Sequence, residues 1–231
     1  VTGSAAAIRT MSATCFYEAN PALSLLRRGL VEGVGTLLLM FIITASHAPL
    51  AGAAALAALV MAFGAVSGGH YNPLITALQW LGRERTTRCT LTYIAAQIAG
   101  ALLGASLAGA VLGLHRVVAA SQERGGWAPE EFVATAGLMV IVFGCARSAR
   151  AETGPFAVGT WLVAVALTLP GAYMNPALTL GALLATGPVA LSTQGILSHV
   201  PSQCAGALLA FGIIRAAYEP GTATNRSSAK P

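Results

Sequence analysis

The sequence predicts an all-α membrane protein built as an inverted repeat, with six transmembrane helices and two re-entrant half-helices. Three observations predict it. Charged residues make up 9% of the 231-residue chain and hydrophobic residues 55%, whereas a soluble globular domain carries roughly 25% charged residues. Charge disappears over long intervals: none lies between Glu32 and Arg83, none between Arg88 and Arg116, and none between Glu152 and Arg215. Two short apolar segments, "SGGHYNPLITAL" at 67–78 and "LPGAYMNPALTL" at 169–180, resemble each other, with Asn72 and Asn175 separated by 103 residues.

A span needs about 20 mostly apolar residues, and the charge-free intervals divide accordingly. The first holds spans at 29–47 and 49–66 and a short segment at 72–82. The second holds a span at 88–114. A fourth span at 130–148 follows and carries Glu131 near its start. The last interval holds spans at 154–169 and 195–216 with a second short segment at 175–186 between them. Each short segment is about 16 Å long at 1.5 Å per residue, too short for a hydrocarbon core about 30 Å thick. The halves run 28–115 and 129–217. Glu32 and Glu131 stand at matching places, 40 and 44 residues before Asn72 and Asn175. A repeat unit of three spans is odd in number, so the second copy enters the bilayer from the opposite face.

Asn is a preferred N-cap and Pro is preferred at the first helical position, so each Asn-Pro pair starts a helix, here in mid-membrane. Backbone at that depth is tolerated only where protein buries it or where it lines a watery cavity. Gly68, Gly69 and Gly171, just before the caps, permit tight turns. Inversion brings the two helix N-termini together, each with about half a positive charge, a point unfavourable to cations and hydronium. A capping Asn uses its carbonyl oxygen on the helix backbone, which leaves the side-chain NH₂ groups free to hold an uncharged polar solute by its oxygen.

The net charge of +5 does not signal nucleic acid. On the six-span reading eleven basic residues fall on one side, in the tails and alternate loops, and only Arg116 and Arg124 on the other. By the positive-inside rule both termini are cytoplasmic. Residues 1–28 mix polar and charged side chains, so no cleavable signal peptide is expected, and the tails 1–24 and 218–231 are expected to be mobile. Asn225-Arg226-Ser227 matches a glycosylation acceptor but lies on the cytoplasmic side. Cys15, Cys89, Cys145 and Cys204 form no CxxC pair. The chain has no Asp, no GxSxG and no histidine-carboxylate spacing, so neither an enzyme nor a metal or other cofactor is expected.

These residues resemble a known family, the aquaporins or major intrinsic proteins. The likeness rests on "EGVGTLLL" in the first span, "SGGHYNPLIT" at the first box and "GAYMNPALTLG" at the second. It implies an aquaporin-like right-handed bundle, a pore through each subunit, a homotetramer in the lipid bilayer, and passage of small uncharged solutes. For a bacterial chain the place is the inner membrane. Glycines at Gly29 and Gly33, Gly100 and Gly104, and Gly109 and Gly113 suit tight helix crossings. The pore motifs become Asn72, Pro73 and Leu74, with Leu where Ala is usual, and Asn175, Pro176 and Ala177. A four-residue selectivity filter maps to Gly52, Ala166, Ala172 and Leu178, with Val163 the alternative to Ala166. Leu178 stands where most members carry Arg. The family's use of intramembrane glutamates gives Glu32 and Glu131 a supporting role for the re-entrant loops, and His70 shapes the loop or the cytoplasmic mouth.

Arg offers five donors and a permanent charge. With Leu in its place the mouth is wider and less polar, which favours glycerol, urea or neutral metalloid hydroxides such as arsenous acid, a loss of Arg seen in similar bacterial members linked to arsenic resistance. Two alternatives stay open: a water-selective or poorly conducting pore plugged by Leu74 or Leu178, and a secondary transporter, whose flux would saturate.

Overall fold

A computed structural model of the chain describes residues 20–46, 48–113, 126–148 and 151–218. The tails 1–19 and 219–231, with Arg9, Arg226, Lys230 and the Asn225 acceptor, lie outside them, as do Arg116, Arg124 and Arg150. Among the described residues eight α-helices follow in order: α1 Leu25–Ala45, α2 Pro49–Ser67, α3 Pro73–Leu81, α4 Thr87–Leu112, α5 Pro129–Arg147, α6 Gly154–Thr168, α7 Pro176–Gly181 and α8 Thr193–Tyr218. The two short helices, α3 and α7, open at the predicted Asn-Pro pairs.

Local chemistry sets most starts. Ser24 caps α1 by accepting from the Arg27 backbone N–H, and Thr86 caps α4 by accepting from Cys89 N. Pro sits in the first turn of α2, α3, α5, α6 and α7, where its missing N–H costs nothing. Asn20, inside the predicted tail, donates its backbone N–H to Val66 O at 3.2 Å, at the end of α2.

The second short segment differs from expectation. The second short helix, expected to run 175–186, ends at Gly181; Leu183 and Leu184 then bond to carbonyls only three residues back, and a 3₁₀ turn follows at Gly187–Val189. The "TGP" at 186–188 then prevents the helix from resuming: Gly187 adopts φ +64° and Pro188 has no N–H to continue a helix. Helix α6 has 15 residues, about 22 Å. The other five spanning helices are each long and apolar enough to cross a membrane.

Packing follows the repeat. The most extensive helix contacts are α1 with α4 in the first half and α5 with α8 in the second, and α2 meets α6 across the halves. Half-helix α7 packs on α4, while α3 reaches α8 as well as α4. The α1–α4 seam is close enough that a Cβ built on Gly100 would stand 2.2 Å from the Gly33 carbonyl oxygen, and one on Gly104 2.3 Å from Leu37 O; in the second half a Cβ on Gly206 would stand 2.3 Å from Phe132 O. Backbone cannot yield as a side chain can. Gly100→Ala is therefore expected to destabilise the detergent-solubilised protein by about 1–3 kcal/mol, read as a lowered Tm. Gly212→Ala, where a Cβ would meet nothing within 4 Å, should leave Tm unchanged. The outward faces carry large apolar side chains, among them Leu30, Leu91, Leu103 and Leu208, each more than half exposed, as a lipid-facing surface requires.

Candidate functional site

The site begins with two residues in an unusual backbone state. Tyr71 and Met174, each directly before an Asn, have φ +47° and +55°, a left-handed conformation that non-glycine residues adopt only where their surroundings enforce it. The surroundings are carboxylates. Glu32 Oε1 accepts from the backbone N–H of His70 at 3.0 Å and from Ser67 Oγ at 2.6 Å. Its Oε2 accepts from Tyr71 N at 2.7 Å and Gln97 Nε2 at 2.8 Å. In the second half Glu131 accepts from Tyr173 N at 2.6 Å and Met174 N at 2.8 Å. Both glutamates are fully buried, and each satisfies backbone donors that a re-entrant loop would otherwise leave without partners.

With the N–H groups held by glutamate, the Tyr71 and Met174 carbonyls turn the other way and meet the opposite box. Asn72 Nδ2 donates to Met174 O at 2.9 Å, and Asn175 Nδ2 donates to Tyr71 O at 2.8 Å. Each Asn also caps its own helix: Asn72 Oδ1 accepts from Leu74 N, and Asn175 Oδ1 from Ala177 N and Leu178 N. The sequence reading left the side-chain NH₂ groups free. Instead each spends one N–H on the other half, because the left-handed residues bring a carbonyl within reach, and each keeps one N–H of its two. Thr76 and Thr179 close the arrangement by donating to the carbonyls of Asn72 and Asn175, and Gln97 and Gln203 donate to those threonines.

Both Asn side chains face a cavity of about 40 Å³. On the same measure one ordered water needs about 10–15 Å³, so the space accommodates a short file of water-sized molecules. Its wall comes in pairs about 100 residues apart: Leu39 with Leu138, Ile43 with Val142, and Ile75 with Leu178. His70 and Tyr173, also 103 residues apart, line it beside the boxes. Apart from the boxes and His70 the wall is mostly apolar.

Of the four filter positions Leu178 lines the cavity, while Gly52, Ala166 and Ala172 are not among its wall residues. Leu74 is buried in the core and is likewise absent from the wall; its neighbour Ile75 is present. Pro73, Pro176 and Ala177 are buried at the helix starts. His70 is held on both ring nitrogens, Nδ1 at 2.9 Å from Thr76 Oγ1 and Nε2 at 3.1 Å from Arg85 Nη2. Guanidinium only donates, so the network assigns His70 as neutral with the proton on Nδ1. Sequence reasoning missed Ile75 and Arg85. The 103-residue offset applied backwards from Leu178 locates Ile75; nothing in the sequence distinguishes Arg85 from its solvated neighbours.

Two half-helices meeting tip to tip beside an apolar cavity, inside a bundle of membrane-length helices, define a membrane channel with the aquaporin fold. The family model for the major intrinsic proteins matches residues 22–170. Glycerol uptake facilitator protein-like 6 of Lactiplantibacillus plantarum is 30% identical over 207 residues, covering 80% of this chain and 95% of that protein. Aquaglyceroporin AqpS of Rhizobium meliloti is 29% identical over 170 residues, 72% of each chain. The solved aquaglyceroporin of Plasmodium falciparum superposes with a TM-score of 0.66 at 16% identity, covering 82% of this chain and 95% of that one, which establishes likeness of fold. The chain belongs to the major intrinsic protein family, whose members are channels for small solutes.

Proposed function

We propose that this channel passes small uncharged solutes larger than water, glycerol-like polyols and neutral metalloid hydroxides such as arsenous acid, by passive diffusion. The observation that carries the reading is Leu178, an apolar side chain on the cavity wall at the position where most of the family places a guanidinium. Solute selection then rests on width and on the two remaining Asn N–H donors.

The filter assignment of Gly52, Ala166, Ala172 and Leu178 is supported by helix phase. Gly52 lies one four-residue step before Leu56 and two before Val60, and Ala166 one such step after Leu162 and two after Val158, all four of which line the cavity. Residues four apart share a helix face. Val163 stands about 100° around from Leu162, farther from that row than Ala166. On this assignment the mouth is framed by small or apolar groups. The boxes Asn72-Pro73-Leu74 and Asn175-Pro176-Ala177 exclude cations through their helix dipoles, and Glu32, Glu131 and His70 hold the loops. The protein sits in the cell membrane as a homotetramer with both termini cytoplasmic, in a bacterium in the inner membrane.

Stopped-flow swelling of proteoliposomes tests the reading. Permeability to glycerol and arsenous acid is expected to exceed that of protein-free vesicles several-fold, with a flux that rises linearly with solute concentration. Permeability at the lipid background would refute it, and saturation would favour a transporter.

A further inference from the structure

The chain has lost the family's guanidinium on the Leu178 side, yet a guanidinium touches the cavity wall elsewhere. Arg85 lies in the turn between α3 and α4 and folds inward. Its Nε donates to Gln79 Oε1, its Nη1 donates to Cys89 Sγ at 3.3 Å, and its Nη2 donates to the wall residue His70 at 3.1 Å. The Tyr93 ring lies beneath the group, 4.6 Å from its central carbon to the ring centroid. Nη2 would also stand 3.4 Å from a Cβ built on Gly68, next to the wall residue Gly69. Among the described residues no carboxylate oxygen comes within 4.0 Å of it. Arg85 is therefore a positive charge, fixed from four directions, partly withdrawn from water and, among the described residues, uncompensated by an ion pair.

From these contacts we infer that Arg85 is a charge-selectivity residue of the channel, acting from the mouth on the α3–α4 side. The inference rests on reading this cavity as the permeation path. A charge beside an apolar passage is weakly screened, so its field reaches past the mouth and adds to the barrier that a cation meets at the Asn pair. At separations on the order of 10 Å and an effective dielectric constant near 20, one unit charge lowers the occupancy of a like-charged ion by about tenfold. A neutral solute feels no such penalty. The other basic side chains of this turn, Arg83 and Arg88, are exposed, so solvent and salt screen them.

Guanidinium and urea suit the test because they share size and planar shape and differ in charge. Arg85→Gln is expected to raise guanidinium uptake relative to urea about tenfold in proteoliposomes, while Arg85→Lys keeps the wild-type ratio. Gln79→Glu supplies the same answer without removing the anchor: its carboxylate still accepts from Arg85 Nε and cancels the charge, so this variant should also leak guanidinium. If Arg85→Gln does not fold, Gln79→Glu decides alone. A purely structural Arg85 would alter urea flux or yield and leave the ratio unmoved. An unchanged ratio in a folded Arg85→Gln or Gln79→Glu channel would overturn the assignment, as would Arg85→Lys leaking like Arg85→Gln. Wild-type urea flux at the lipid background would instead defeat the channel reading, and this inference with it.

Discussion

Replacing Glu32 by leucine is expected to abolish recovery of folded protein from membranes, measured as the monodisperse peak in size-exclusion chromatography. The carboxylate accepts from Ser67 Oγ, the backbone N–H groups of His70 and Tyr71, and Gln97 Nε2, and no water reaches the site, since Glu32 is 0% exposed. Each donor stranded in a dry interior costs about 1–3 kcal/mol. Four together exceed about 4 kcal/mol, a large share of a typical total stability of about 5–15 kcal/mol. Glu32→Gln keeps one acceptor oxygen but turns an amide NH₂ toward a donor, so it should fall between the two, with reduced yield and unaltered solute selectivity. Wild-type yield for Glu32→Leu would show that the re-entrant loop is held by something else. Intact yield of Glu32→Gln with altered proton conduction would make the carboxylate a relay.

Leu178→Arg is the second large effect, and it acts on selectivity rather than on folding. The leucine is 6% exposed and lines the cavity; arginine adds length, a permanent charge and five donors. Glycerol flux should fall roughly a hundredfold, equivalent to about 2.7 kcal/mol on the barrier, while water flux survives or rises. Stopped-flow measurement of both solutes on the same vesicles reads the two effects separately. An equal fall in both, or none in either, would remove Leu178 from the filter.

The helical framework was legible because charge is scarce enough for its absence to mark a span. The one displaced start shows the weakness of that criterion: α1 begins at Leu25 rather than 29, since Ser24 caps a first turn from which the exposed Arg27 reaches water. The boxes were legible because an Asn-Pro pair carries a local mechanism, and its repetition 103 residues later carries the symmetry. What the chain did not disclose are contacts between halves. The left-handed Tyr71 and Met174 are ordinary residue types whose backbone state is imposed by glutamates about 40 residues upstream. The Tyr71 ring fills the space that Gly35 leaves, where a Cβ would stand 2.0 Å from its Cε1, and no periodicity announces that pairing. Arg85 read as one more topology-setting charge because its burial depends on Tyr93 and Gln79, which belong to different helices.

The crossed amide-to-carbonyl bonds have a consequence for biogenesis. When the ribosome has completed only the first half, the Asn72 amide and the Tyr71 carbonyl have no counterparts, for those lie about a hundred codons downstream. Until the later segment arrives, the early loop must stay hydrated or sheltered by the insertion machinery. Neither box can mature alone, so commitment of the nascent chain to its final shape is postponed until both have been made.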